Sequence, residues 1–97
     1  MVRVKWLPEA LDDIQRHYDF LFGKDISAAE QATAHILKGC NLLKTSPRIG
    51  KRMPDSSGRR ELFISFGAGA YVLRYKLENE QTVVIIRVWH NKENRTI

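Results

Sequence analysis

Seven residues, Val83-Val-Ile-Ile-Arg-Val-Trp89, constrain the fold of this chain more than any other feature. The run is rich in β-branched side chains, is too short to cross a membrane and is interrupted by Arg87. Such a run predicts a central β-strand, buried on much of both faces. The polar stretch His90-Asn-Lys-Glu-Asn-Arg95 follows at its mouth. The other elements are expected to dock on this strand, with functional groups near its end.

Upstream, Val2, Val4 and Trp6 alternate with Arg3 and Lys5, a short strand with one wet face. Pro8 suits a first helical turn, and Glu9, Asp12 and Asp13 favour the positive end of the helix dipole. Leu7, Leu11, Ile14, Tyr18 and Leu21 form one apolar stripe, and Gly23 ends the helix. Ser27-Ala-Ala-Glu30 has capping-box spacing and opens a second helix with the stripe Ala29, Ala32, Ile36, Cys40 and Leu43, stopped by Pro47. Residues 46–58 read as an ordered loop or a loop with one helical turn. From Arg59 the period becomes two, with turns at Gly67-Ala-Gly69 and Glu78-Asn79-Glu80. The order is β-α-α-β-β-β: an α+β fold with a helical hairpin on one face of a small, mostly antiparallel sheet.

With 97 residues and 43% hydrophobic side chains, one domain spanning 1–97 with one core is expected. Cys40 has no partner for an internal disulfide, and Arg3, Lys5 and Pro8 break any signal-peptide core. A cytoplasmic protein without membrane association is the expectation. The whole net charge of +5 resides between Lys44 and Arg60, where six cations face one anion, Asp55. This basic window points to an acidic partner, nucleic acid or an anionic protein; a solvated loop is the alternative.

Strand parity places Leu62/Ile64, Tyr71/Leu73/Tyr75/Leu77 and Val84/Ile86/Val88 toward the helices. The opposite face then receives Arg59, Glu61, Phe63, Arg74, Lys76 and Arg87. Cleaving RNA through its 2′-hydroxyl needs a proton acceptor, a donor and cations. Parity puts His90 on the side away from Arg74 and Arg87, and Tyr71 in the core. The arginine face therefore lacks an obvious acid–base pair, since arginine is a poor base. Alternatively, Glu61 pairs with Arg74 and the arginines only solubilise the surface. His17 and His35 fall on helices away from this face without metal-ligand spacing, and Cys40 is a small buried hydrophobe. No metal and no cofactor is expected.

Several segments together resemble a known family. They are Ser46-Pro-Arg-Ile-Gly50, Arg59-Arg-Glu-Leu62, Tyr71-Val-Leu-Arg-Tyr75 and Ile86-Arg-Val-Trp-His90-x-x-Glu93-x-Arg95. In this order they resemble the RelE/ParE superfamily of type II toxin–antitoxin toxins over nearly the whole chain. The resemblance implies a small cytoplasmic toxin, neutralised by a cognate antitoxin whose disordered segment folds on binding. ParE-like members inhibit DNA gyrase and trap its cleaved complex; RelE-like members cut messenger RNA in the ribosomal A site. The ending Arg87 to Arg95 looks more ParE-like. A gyrase inhibitor would have no catalytic residue and would bind its target through Arg48, Lys51, Arg52, Arg59, Arg74, Arg87, His90, Lys92 and Arg95. A ribosome-dependent nuclease would place Arg59, Arg74, Arg87 and His90 around the scissile phosphate. A third alternative is a member that only binds its antitoxin. For the antitoxin, Trp6, Phe20 and Phe22 are the expected lining residues, beside an edge strand at 2–6.

Overall fold

The computed structural model describes residues 1–93. Strand β1 (Arg3–Trp6) leads into helices α1 (Pro8–Phe22) and α2 (Ile26–Thr45). Strands β2 (Lys51–Arg52), β3 (Arg60–Phe66), β4 (Gly69–Asn79) and β5 (Thr82–His90) follow. The sheet runs β1-β5-β4-β3-β2, with only β1 and β5 parallel. The Val83–Trp89 run thus lies inside the sheet, and β1 is an edge, both as expected. Tyr71, Leu73, Tyr75, Val83, Ile85 and Val88 meet Ala10, Ala32, Ile36, Cys40 and Leu43 in the core.

Four details differ from the sequence reading. The basic loop contains a two-residue strand, β2, which pairs Lys51 with Glu61 and Arg52 with Arg60. Two residues carry too little periodicity to announce a strand. Helix α2 is capped by Asp25 rather than Ser27: its carboxylate accepts from the Ser27 and Ala28 amides.

The third difference is a bulge. Arg74 pairs with Arg87 but Tyr75 pairs with Ile85, so Ile86 is the extra residue on β5. One extra residue inverts the faces of everything before it. Val83 and Ile85 therefore point into the core, while Val84 and Ile86 join Leu7, Lys76 and Glu78 around a shallow hollow on the other side. The expected inward set Val84/Ile86/Val88 holds only for Val88.

The fourth is the rotation of α1. Leu11, expected inside, is 54% exposed, while Asp13 and His17 are buried beside Ala10. The cause is the open edge of β5. Strand β1 pairs with β5 only at residues 82–85, and the backbone beyond needs partners. Leu7 N–H donates to the Ile85 carbonyl (3.0 Å), Val88 N–H donates to the Asp13 carboxylate (2.8 Å) and His17 Nε2–H donates to the Val88 carbonyl (2.9 Å). Helix α1 thus completes with side chains the edge that β1 leaves unfinished.

At the other end of the sheet, the buried Tyr75 hydroxyl accepts from Gly50 N–H at 2.8 Å. A Cβ on Gly50 would stand 2.7 Å from the Tyr75 ring and hydroxyl, and 3.0 Å from the Glu61 carbonyl. Neither neighbour can yield cheaply, because one is a rigid ring in the core and the other is backbone. Gly50→Ala is expected to cost about 2 kcal/mol, read as a lower urea midpoint with an unchanged slope.

Candidate functional site

The face away from the helices carries a paired arginine system. Glu61 on β3 faces Arg74 on β4, which in turn faces Arg87 on β5. Nε and Nη2 of Arg74 both donate to one Glu61 oxygen, at 3.0 and 2.8 Å. Arg87 reaches around the sheet edge to Asp13, donating through Nε at 2.7 Å and Nη2 at 3.0 Å. Both guanidinium groups lie over the Trp89 ring, 4.6 and 4.9 Å from its centroid. Arg74 is only 4% exposed.

Burial alone would raise the Asp13 pKa, but hydrogen bonds from Arg87, the Val88 amide and Arg16 outweigh it and hold the carboxyl below its ordinary range. Arg16 donates to both Asp13 and Glu93, and Glu93 also accepts from the His90 amide. Sequence reading missed this Asp13–Arg16–Glu93 chain. The available signal was Ala10, Asp13 and His17 at helical spacing, a polar pair on an inward face.

Of the other expected target-binding residues, Arg48, Lys51 and Arg52 are exposed along the β2 edge. A hollow of about 300 Å³ lies beside them, lined by Lys51, Arg52, Met53, Pro54, Glu61, Phe63 and Arg74. Phe63 is 58% exposed there. Arg59 does not share the surface with Arg74 and Arg87: it is tied to Ser57 and Asp55 in the preceding turn. His90 lies on the helix side of the sheet, as parity requires, its ring 5.3 Å from that of Tyr71. Its Nδ1 accepts from the Lys92 amide, and the Lys92 side chain is exposed. Arg95 lies outside the described residues. So the four residues proposed for cleavage, Arg59, Arg74, Arg87 and His90, do not converge.

His17, on helix α1, faces away from the arginines as expected. It packs against Tyr71, with ring centroids 5.0 Å apart, and lines the recess that also holds His90. Burial depresses its pKa and favours the neutral ring. Among the antitoxin candidates, Phe20 is 66% exposed and Phe22 is exposed against Tyr18. Trp6 is half-buried against the core and lines a hollow of about 280 Å³ with Val4, Leu37, Cys40, Asn41 and Lys44. Burial pushes the Cys40 thiol up to about 12, consistent with an inert packing role.

Comparison with known proteins places the chain among type II toxins, under both ParE and RelE names. Residues 4–95 match the family model described as the ParE toxin of the type II toxin–antitoxin system parDE. The chain is 36% identical over 95 residues to Toxin RelE3 of Caulobacter vibrioides, covering 98% of this chain and 100% of that protein. It is 31% identical over 83 residues to Toxin RelE1 of the same organism, covering 86% of each. Among solved structures, a chain of the chromosomal ParDE toxin–antitoxin system from P. aeruginosa superposes with a TM-score of 0.77 at 18% identity. That match covers 93% of this chain and 96% of the other.

Proposed function

Since this chain belongs to the ParE toxin family of type II toxin–antitoxin systems, we propose that it acts in the cytoplasm by binding DNA gyrase, without catalysing a reaction itself. The family implies a cognate antitoxin as its partner. What supports the gyrase reading is the state of the arginine face. Arg74 and Arg87 are each held by a carboxylate and share Trp89, so they form a braced surface, while His90 lies across the sheet. The exposed cations Arg48, Lys51 and Arg52, with Phe63 beside them, are the part available to a large anionic or mixed target. For the antitoxin we assign the exposed rings of Phe20 and Phe22 and the hollow beside Trp6 along the β1 edge.

Purified toxin is expected to inhibit gyrase supercoiling and to raise the level of cleaved complex, both abolished by antitoxin. Lys51→Glu with Arg52→Glu is expected to weaken that inhibition at least tenfold, roughly the effect of reversing two close charges at an interface. Because both side chains are exposed, the unfolding free energy should move by less than about 0.5 kcal/mol. Unchanged supercoiling by the native toxin would end the gyrase assignment.

One observation favours a second reading, ribosome-dependent messenger RNA cleavage. The Glu61 carboxylate borders the 300 Å³ hollow together with Arg74, Lys51 and Arg52, a carboxylate and cations around a space that can admit a phosphodiester. Cuts at fixed codon positions in expressing cells, lost in Glu61→Gln, would establish it. Unimpaired growth on induction without antitoxin would leave antitoxin binding as the only activity.

A further inference from the structure

A second recess lies at the mouth of β5, on the sheet face opposite the arginines. It consists of adjoining spaces of about 270 and 480 Å³, which share His17, Phe20, His90 and Lys92 as walls. Two groups face it with hydrogen-bonding capacity left over, the buried Tyr71 and the half-buried His90. Tyr71 is 3% exposed, yet its hydroxyl has no hydrogen-bond partner among the described residues. The other buried phenol in the core, Tyr75, is satisfied by Gly50. The Tyr71 hydroxyl is not sealed off either, since no fully enclosed side-chain polar atom among the described residues lacks a partner. The hydroxyl therefore opens into the recess, where an acceptor on a ligand can reach it.

The His90 ring adds a second donor. Its Nδ1 accepts from the Lys92 amide, so in the neutral ring the proton sits on Nε2. That nitrogen lies over Gly69, where a Cβ would stand 2.9 Å from it and 2.8 Å from Asn91 Oδ1, so glycine leaves room for the imidazole at the recess. The nearby acceptor, Glu93, is already engaged by Arg16 and the His90 amide. His17 Nε2 is engaged by Val88. The recess therefore offers more donors than acceptors, with the Lys92 ammonium at its rim and the rings of Phe20 and Phe66 as walls.

We propose that this recess binds a small planar aromatic carboxylate. Its ring lies against Phe20, its carboxylate accepts from the Tyr71 hydroxyl and His90 Nε2–H, and Lys92 supplies the countercharge. Size supports a ligand of this kind, because spaces of a few hundred Å³ with apolar walls and few polar groups suit small molecules. The site is independent of the gyrase reading, which uses the other face of the sheet.

The test is a titration of naphthalene-2-carboxylate into the ¹⁵N-labelled full chain, followed by amide chemical shifts. Saturable shifts are expected at Gly69, Tyr71 and His90 with a Kd below about 1 mM. The neutral carboxamide should bind about tenfold more weakly, as should the carboxylate to Tyr71→Phe, the loss expected for one hydrogen bond to a charged acceptor. Phe20→Ala and Lys92→Gln, both at exposed positions, should each weaken binding and decide the matter if Tyr71→Phe does not fold. Shifts centred on Lys51 and Arg52, equal affinity for the carboxamide, or no effect of these substitutions would overturn the proposal.

Discussion

Asp13→Ala is expected to lower the free energy of unfolding by about 3 to 4 kcal/mol, the range for removing one partner of a buried charge pair. For a domain of this size that is a large share of a total of roughly 5 to 15 kcal/mol. The magnitude follows from what one carboxylate holds. It is 3% exposed and accepts from Arg87, from Arg16 and from the Val88 amide. Alanine would strip the bidentate partner from Arg87 and leave the Val88 N–H unpaired inside the protein. Asp13→Asn keeps an acceptor for that amide and should recover part of the loss. Urea unfolding of the three proteins at pH 7 measures both steps.

The same group sets the response to acid. Burial works to raise the Asp13 and Glu93 pKa values, yet their hydrogen bonds bring both below the ordinary range. A depressed carboxylate stabilises the fold above its unfolded pKa of about 4, and that stability drains as pH falls through the folded value. His17 acts with the same sign from higher pH. Burial lowers its pKa, so the unfolded ring takes up a proton first, near pH 6.5, and folding loses ground as pH falls below that. Stability should therefore begin to decline near pH 6 and fall more steeply below pH 4. In Asp13→Asn the steep part should flatten while the shallow part remains. An Asp13→Asn curve parallel to the native one below pH 4 would show that this carboxyl is not the titrating group.

What the sequence conveyed and what it withheld divide along a physical line. Periodicity marks faces where polar residues alternate with apolar ones, as Arg74 and Lys76 do in β4 although Tyr71 to Tyr75 are all buried, and the β3 alternation and the α2 stripe are legible in the same way. It fails where an element carries no polar marker. Val83 to Ile86 offer no polar marker, so nothing along the chain announces that Ile86 is the extra residue. Likewise, α1 was rotated wrongly because Leu11 fits an apolar stripe better than Asp13 does. The helix turns instead to meet unpaired backbone on β5, a demand that exists only once β1 has ended at Trp6. The arginine face was anticipated from parity, including the Glu61–Arg74 alternative. Its bracing by Asp13 was not, because that contact joins residues 74 positions apart.

This bracing changes how toxicity data on the arginines should be interpreted. Arg74→Ala is expected to destabilise the fold by about 3 kcal/mol, since it removes a guanidinium that is 4% exposed, bonded twice to Glu61 and stacked on Trp89. Arg74→Lys should not be benign either, because an ammonium group cannot reproduce the fork or the stacking. Loss of toxicity in either variant would thus follow from unfolding whether the target is gyrase or the ribosome. The discriminating variant replaces the pair together, Glu61→Gln with Arg74→Met, keeping volume while removing both charges. We expect it to regain at least half of the stability lost in Arg74→Ala, measured by urea unfolding. If gyrase inhibition returns with the fold, Arg74 serves as a brace for the surface. If the fold returns and activity does not, the Glu61–Arg74 pair acts on the target directly, and messenger RNA cleavage becomes the reading to pursue.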